Sequence, residues 1–64
     1  MTLTDRTAGR QASASGASRK EAFAQHLASV QADLGRTLKP SELSIATSRF
    51  NAGYREAQAE RRDS

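Results

Sequence analysis

Residues 18–35 read SRKEAFAQHLASVQADLG and residues 40–57 read PSELSIATSRFNAGYREA, and the spacing of their apolar side chains decides the fold. In the first stretch Phe23, Leu27, Val30 and Leu34 follow one another at intervals of four, three and four. That is the a/d stripe of a helix that packs on another helix. Ser18 and Glu21 have the S-x-x-E spacing of a capping box, in which the serine hydroxyl accepts from the Glu21 amide and the carboxylate reaches back. Gly35 closes the stripe at the place of a left-handed C-cap. The predicted helix spans about residues 19–34.

In the second stretch Pro40 suits the first helical position, where its missing N–H costs nothing. Glu42 then falls at N3, where a carboxylate favours the positive end of the helix dipole. With Lys39 as N-cap, Leu38 and Leu43 take the positions of a hydrophobic staple, and Ser41 is the other cap candidate. Leu43, Ala46, Phe50, Gly53 and Ala57 recur at three, four, three and four, flanked by Ile45 and Tyr54. The predicted helix spans about residues 40–61, with Arg61 and Arg62 at its negative end. Gly53 inside it costs about 0.5–1 kcal/mol relative to alanine, which implies either a weak point or another backbone close by.

Two such helices joined by a short turn make an αα-hairpin, spanning residues 18–62. No stretch alternates apolar and polar residues with branched or aromatic content, so the fold class is all-α. In architecture the hairpin resembles short helical hairpins that dimerise into four-helix bundles; no residue motif extends that likeness to function.

Outside the hairpin the composition changes. The chain has 64 residues, and twelve of its nominally hydrophobic ones are alanine. Of the larger apolar side chains only Met1 and Leu3 precede residue 20. Residues 1–17 are built mainly from Ala, Ser, Gly, Thr, Arg and Gln, too little apolar surface to offset their ordering entropy, and read as a flexible basic tail. Residues 63–64 form a short polar end. The formal net charge of +3 lies wholly within residues 1–20, where Arg6, Arg10, Arg19 and Lys20 face Asp5 alone. Residues 21–64 carry six basic and six acidic side chains. Attraction to phosphates or to an acidic partner is therefore expected mainly from the arm.

A single hairpin cannot cover both of its own stripes, and below about 70–80 residues one core supplies little stability. The expectation is a four-helix bundle completed by homodimerisation or by docking on another protein, with Phe23, Leu27, Val30, Leu34, Leu43, Phe50 and Tyr54 as the interface.

Little in the chain supports catalysis. There is no cysteine, hence no disulfide, thiolate site or cysteine nucleophile. His26 is the sole histidine, has no Asp, Glu or His at metal-ligand spacing, and reads as a flank of the core beside Phe23 and Val30. No G-x-S-x-G or P-loop is present, and Glu56 and Glu60, among Arg55, Arg61 and Arg62, read as a solvated face. We expect no enzymatic activity, no metal, no cofactor and no small-molecule substrate. No apolar run approaches the ~20 residues of a membrane span, and a cytoplasmic location is expected.

The function these features favour is a small regulatory or inhibitory protein that acts through protein–protein contacts of its helical hairpin, a role that suits a phage or plasmid product. The alternative is a nucleic-acid-binding accessory factor using Arg6, Arg10, Arg19, Lys20, Arg49, Arg55 and Arg62. On the second helix Ser48, Asn51, Arg55, Gln58 and Arg62 form a polar stripe of side chains able to contact bases or phosphates.

Overall fold

The computed structural model describes residues 4–62 and contains three helices: α1 (Asp5–Ala14), α2 (Arg19–Leu34) and α3 (Pro40–Arg62). The chain is all-helical as expected, but it has three helices where two were predicted. The additional one, α1, lies inside the segment read as a flexible tail. The end at 63–64 lies outside the described residues.

Local chemistry explains α1 at both ends. Thr4 is the N-cap in extended geometry, and its Oγ1 accepts from the Thr7 amide at 3.3 Å. Asp5 places a carboxylate in the first turn, where the helix dipole favours it. At the other end the Gly16 amide donates to the Ser13 carbonyl and the Ala17 amide to the Ala12 carbonyl, both at 3.1 Å. That pair of bonds is a Schellman motif, and it needs a residue with positive φ, supplied by Gly16 at 76°.

Helices α2 and α3 fall where the spacing put them. Ser18 is the N-cap of α2, although its side chain makes no capping hydrogen bond, so the serine half of the expected box is open. Gly35 caps the C-terminus at φ 72°, as expected. Before α3 the Glu42 carboxylate accepts from the Lys39 amide at 3.0 Å, the reach-back bond of an N3 carboxylate. Glu42 also takes a two-pronged bond from Arg36 at 2.9 and 3.0 Å, which pins the α2–α3 turn to the start of α3.

Contact order along the helices fixes their directions. Arg6 meets Glu56 and Ser13 meets Arg61, so α1 runs parallel to α3. Arg19 meets Asn51 and Phe23 meets Phe50, so α2 runs antiparallel to both. The tightest packing is between α1 and α3, and two glycines make it so. A Cβ built on Gly53 would overlap the Arg6 carbonyl oxygen and lie 2.9 Å from its carbon. A Cβ on Gly9 would overlap the Phe50 carbonyl oxygen and lie 2.9 Å from the Tyr54 nitrogen. Glycine stands at both places because backbone meets backbone there.

The core forms around that crossing. Ala8, Ala12 and Phe50 are its buried centre, and Ala22, Phe23 and Tyr54 pack against it half-buried. The Phe50 ring lies 5.1 Å from Phe23, tilted by 56°, and 5.9 Å from His26, nearly stacked. The Tyr54 hydroxyl donates to the Ala17 carbonyl at 3.1 Å, tying α3 to the α1–α2 connection.

By contrast α2 and α3 touch each other least. They close on Phe23 and Phe50 and part toward the turn. Leu34 and Ile45 consequently remain about half exposed, at 49% and 51%.

Candidate interaction surface

Three of the four basic side chains within residues 1–20 find partners within the chain. Arg6 forms a two-pronged pair with Glu56, its Nε donating to Oε2 at 3.1 Å. Arg10 bridges Glu56 at 3.2 Å and Glu60 at 2.7 Å. The α1 arginines thus meet the α3 carboxylates that the sequence suggested were a solvated face. Arg19 donates to the Asn51 side chain at 2.7 Å, which engages one member of the expected polar stripe. Ser48 and Arg55 are exposed, while Asn51 and Gln58 are half-buried. Lys20 and Arg49 are exposed; the side chain of Arg62 lies outside the described residues.

Electrostatics mark the two most connected carboxylates. Hydrogen bonding from Arg6 holds the Glu56 carboxyl below its ordinary value, with Arg10 adding to the effect. The Arg36 fork, helped by the Lys39 amide, lowers Glu42 to about 2. A carboxyl whose folded value is depressed stabilises the fold above its unfolded value, and that contribution is lost as pH falls through the folded one. For Glu42 the window runs from the ordinary 4.5 down to about 2. A carboxyl NMR titration should therefore give a Glu42 midpoint near 2. In Glu42→Gln the start of α3 should fray already at neutral pH. A Glu42 midpoint at the ordinary carboxylate value would mean that the Arg36 fork is open in solution.

His26 is buried beside Phe50 as its place on the core flank suggested, and the structure adds a partner. Its Nε2 donates to the Asp5 carboxylate at 2.7 Å, linking α2 to the first turn of α1. No group of three His, Asp or Glu side chains is placed to hold a metal ion among the described residues. No described helix is long and apolar enough to cross a membrane.

The seven expected interface residues divide into two sets. Phe50 is fully buried, and Phe23 and Tyr54 pack around it, so these three are committed to the core beneath α1. Leu27 and Val30 are half-buried, while Leu34 and Leu43 are exposed. Where α2 and α3 part, a cleft of Val30, Leu34, Asp33 and Arg49 meets the first residues of α1. A second cleft of Val30, Leu38, Ile45, Ala46 and Arg49 continues it toward the turn. The two share Val30, Arg49 and Asp5 and form one apolar furrow.

Reading the sequence missed Asp33, Leu38 and Ile45 as members of this surface. Ile45 stands off the principal stripe of α3, and only the parting of the helices gives it a role. No protein family model matches this chain, and no curated protein or solved structure does either.

Proposed function

We propose that this chain is a non-enzymatic interaction protein that regulates or inhibits another macromolecule through protein–protein contact at the α2/α3 furrow. The observation that carries the reading is an apolar cleft with half-exposed Leu34 and Ile45, lying apart from the small core that Phe50 forms with Ala8 and Ala12. Apolar patches rimmed by polar groups are the usual form of such docking sites.

Internal pairing lowers the appeal of nucleic acid as the target. Arg6 and Arg10, two of the four cations of the basic arm, are held by Glu56 and Glu60, and those carboxylates would repel a phosphate backbone.

The test is capture from a nuclease-treated host extract on immobilised protein, with Ile45→Asp as the control bait. Proteins retained by the wild type and lost on Ile45→Asp support the reading. Identical retention by both baits would count against it. In parallel, anisotropy titrations with duplex DNA and structured RNA at about 50–200 mM salt should stay flat; a steep, salt-dependent rise would instead favour the nucleic-acid role.

A further inference from the structure

We infer that a second copy of this chain occupies the α2/α3 furrow, with Asp33 of each copy meeting Arg49 of the other. The inference rests on the reading of the furrow as a docking face and names its occupant.

Charge selects the occupant. Five charged side chains line the furrow, and three already have partners: Asp5 holds His26, Arg6 holds Glu56 and Glu42 holds Arg36. The two left are Asp33 on the α2 wall and Arg49 on the α3 wall, both exposed. Neither makes an ion pair or side-chain hydrogen bond among the described residues, and they do not pair with each other. One free charge of each sign beside a shared apolar floor is complementary to itself. In a two-fold interface residue i meets j while j meets i, so a single furrow supplies both halves of two ion pairs. A phosphate backbone or an anionic lipid surface calls for an excess of cations, which the furrow lacks.

Area allows it. The accessible surface is 4570 Å² for 6.9 kDa. A compact monomer of that mass exposes roughly 4000 Å². A stable interface of standard size buries about 800 Å² on each partner, less than a fifth of this surface. Extents of 40 × 19 × 18 Å and a radius of gyration of 11.8 Å, against about 10.7 Å for a compact chain of this length, describe an elongated molecule whose long axis follows the 23 residues of α3.

Sedimentation equilibrium of the full chain at low salt, from about 1 μM to about 1 mM, tests the arrangement. The wild type should pass from monomer to dimer in that range, and Ile45→Asp should stay monomeric. Asp33→Arg and Arg49→Asp alone should each weaken the dimer by roughly tenfold or more, since each turns two attractions into repulsions. Mixed one to one they should form a heterodimer of near wild-type affinity. At one of its two ion pairs the arginine introduced at position 33 faces the aspartate introduced at position 49, and at the other the native Asp33 faces the native Arg49. Only contact between copies gives that rescue.

A wild type that stays monomeric throughout, charge variants that dimerise like the wild type, or a mixture no tighter than its components would overturn the inference. Should Ile45→Asp lose its helical circular dichroism, Leu34→Asp carries the same test. Failure here separates from failure of the docking reading: a monomer that still loses captured proteins on Ile45→Asp keeps the furrow as a site for a different protein. A monomer whose captured proteins ignore Ile45→Asp removes both.

Discussion

Gly53→Ala lowers the melting temperature, by roughly 5–15 °C, although alanine is the better helix former by about 1 kcal/mol. Were Gly53 an ordinary helical position, the substitution would stabilise α3 by that amount. The position is set by the neighbour instead, because an added methyl overlaps the Arg6 carbonyl of α1. Backbone cannot turn aside as a long side chain can. The two helices must separate by a substantial fraction of an ångström, which strains the Arg6–Glu56 and Arg10–Glu60 pairs and loosens the packing of Ala8 and Ala12 over Phe50. Overpacking against backbone costs about 2–3 kcal/mol, the upper part of the usual range, which exceeds the propensity gain by about 1–2 kcal/mol. Gly9→Ala should behave alike, since its methyl meets the Phe50 carbonyl and the Tyr54 nitrogen from the opposite side of the same crossing. The double variant should cost less than the sum of the singles, because one separation relieves both overlaps. A rise in melting temperature for either single variant would show that α1 does not sit on α3 at this distance.

That crossing also explains what the sequence made legible and what it concealed. Helices α2 and α3 were readable because each announces itself in a periodicity of large side chains and in its end signals, Gly35 and Pro40 with Glu42. Helix α1 carries no such stripe: its largest buried apolar side chain is alanine, and it docks by backbone contact at Gly9 and Gly53. Hydrophobic periodicity registers area and is blind to closeness. The cues that did exist were Thr4 before Asp5, Gly16 after a run of small residues, and the cost of Gly53, which already implied a neighbouring backbone.

Charge was half legible in the same way. The arm's cations were expected to attract phosphates or an acidic partner; Arg6 and Arg10 instead pair within the chain with carboxylates of α3, fifty residues away in sequence for the Arg6–Glu56 pair. The hairpin was expected to take its cover from a second copy or another protein, and α1 supplies part of that cover from within the chain. What no periodicity could reveal is the direction in which α2 and α3 part. The stripe of Phe23, Leu27, Val30 and Leu34 is therefore closed at one end and open at the other.

Phe50→Ala is expected to abolish cooperative unfolding at ordinary temperatures. Phe50 is fully buried, and truncation of a buried phenylalanine costs about 3–5 kcal/mol. At about 0.05–0.15 kcal/mol per residue, a chain of this length has a total stability of only about 3–10 kcal/mol. The site is poorly placed to collapse around the loss. On one side His26 is held by its 2.7 Å bond to Asp5, and on the other Ala8 and Ala12 belong to a helix whose distance from α3 is set by Gly9 and Gly53. The void therefore persists, and Phe23 loses its ring partner. Phe50→Leu, which retains most of the volume, should fall between the wild type and alanine and still melt in one transition. Concentration dependence separates this account from the alternative in which Phe50 anchors a subunit interface. In Phe50→Leu, which keeps a transition to measure, a core role lowers the urea midpoint by the same amount in dilute and concentrated samples, because the cost lies within one chain. An interface residue would shift the midpoint mainly where the wild type is associated and leave the dilute monomer nearly unchanged. Finding the second pattern would mean that Phe50 is exposed when the chain is alone and that α1 does not cover it.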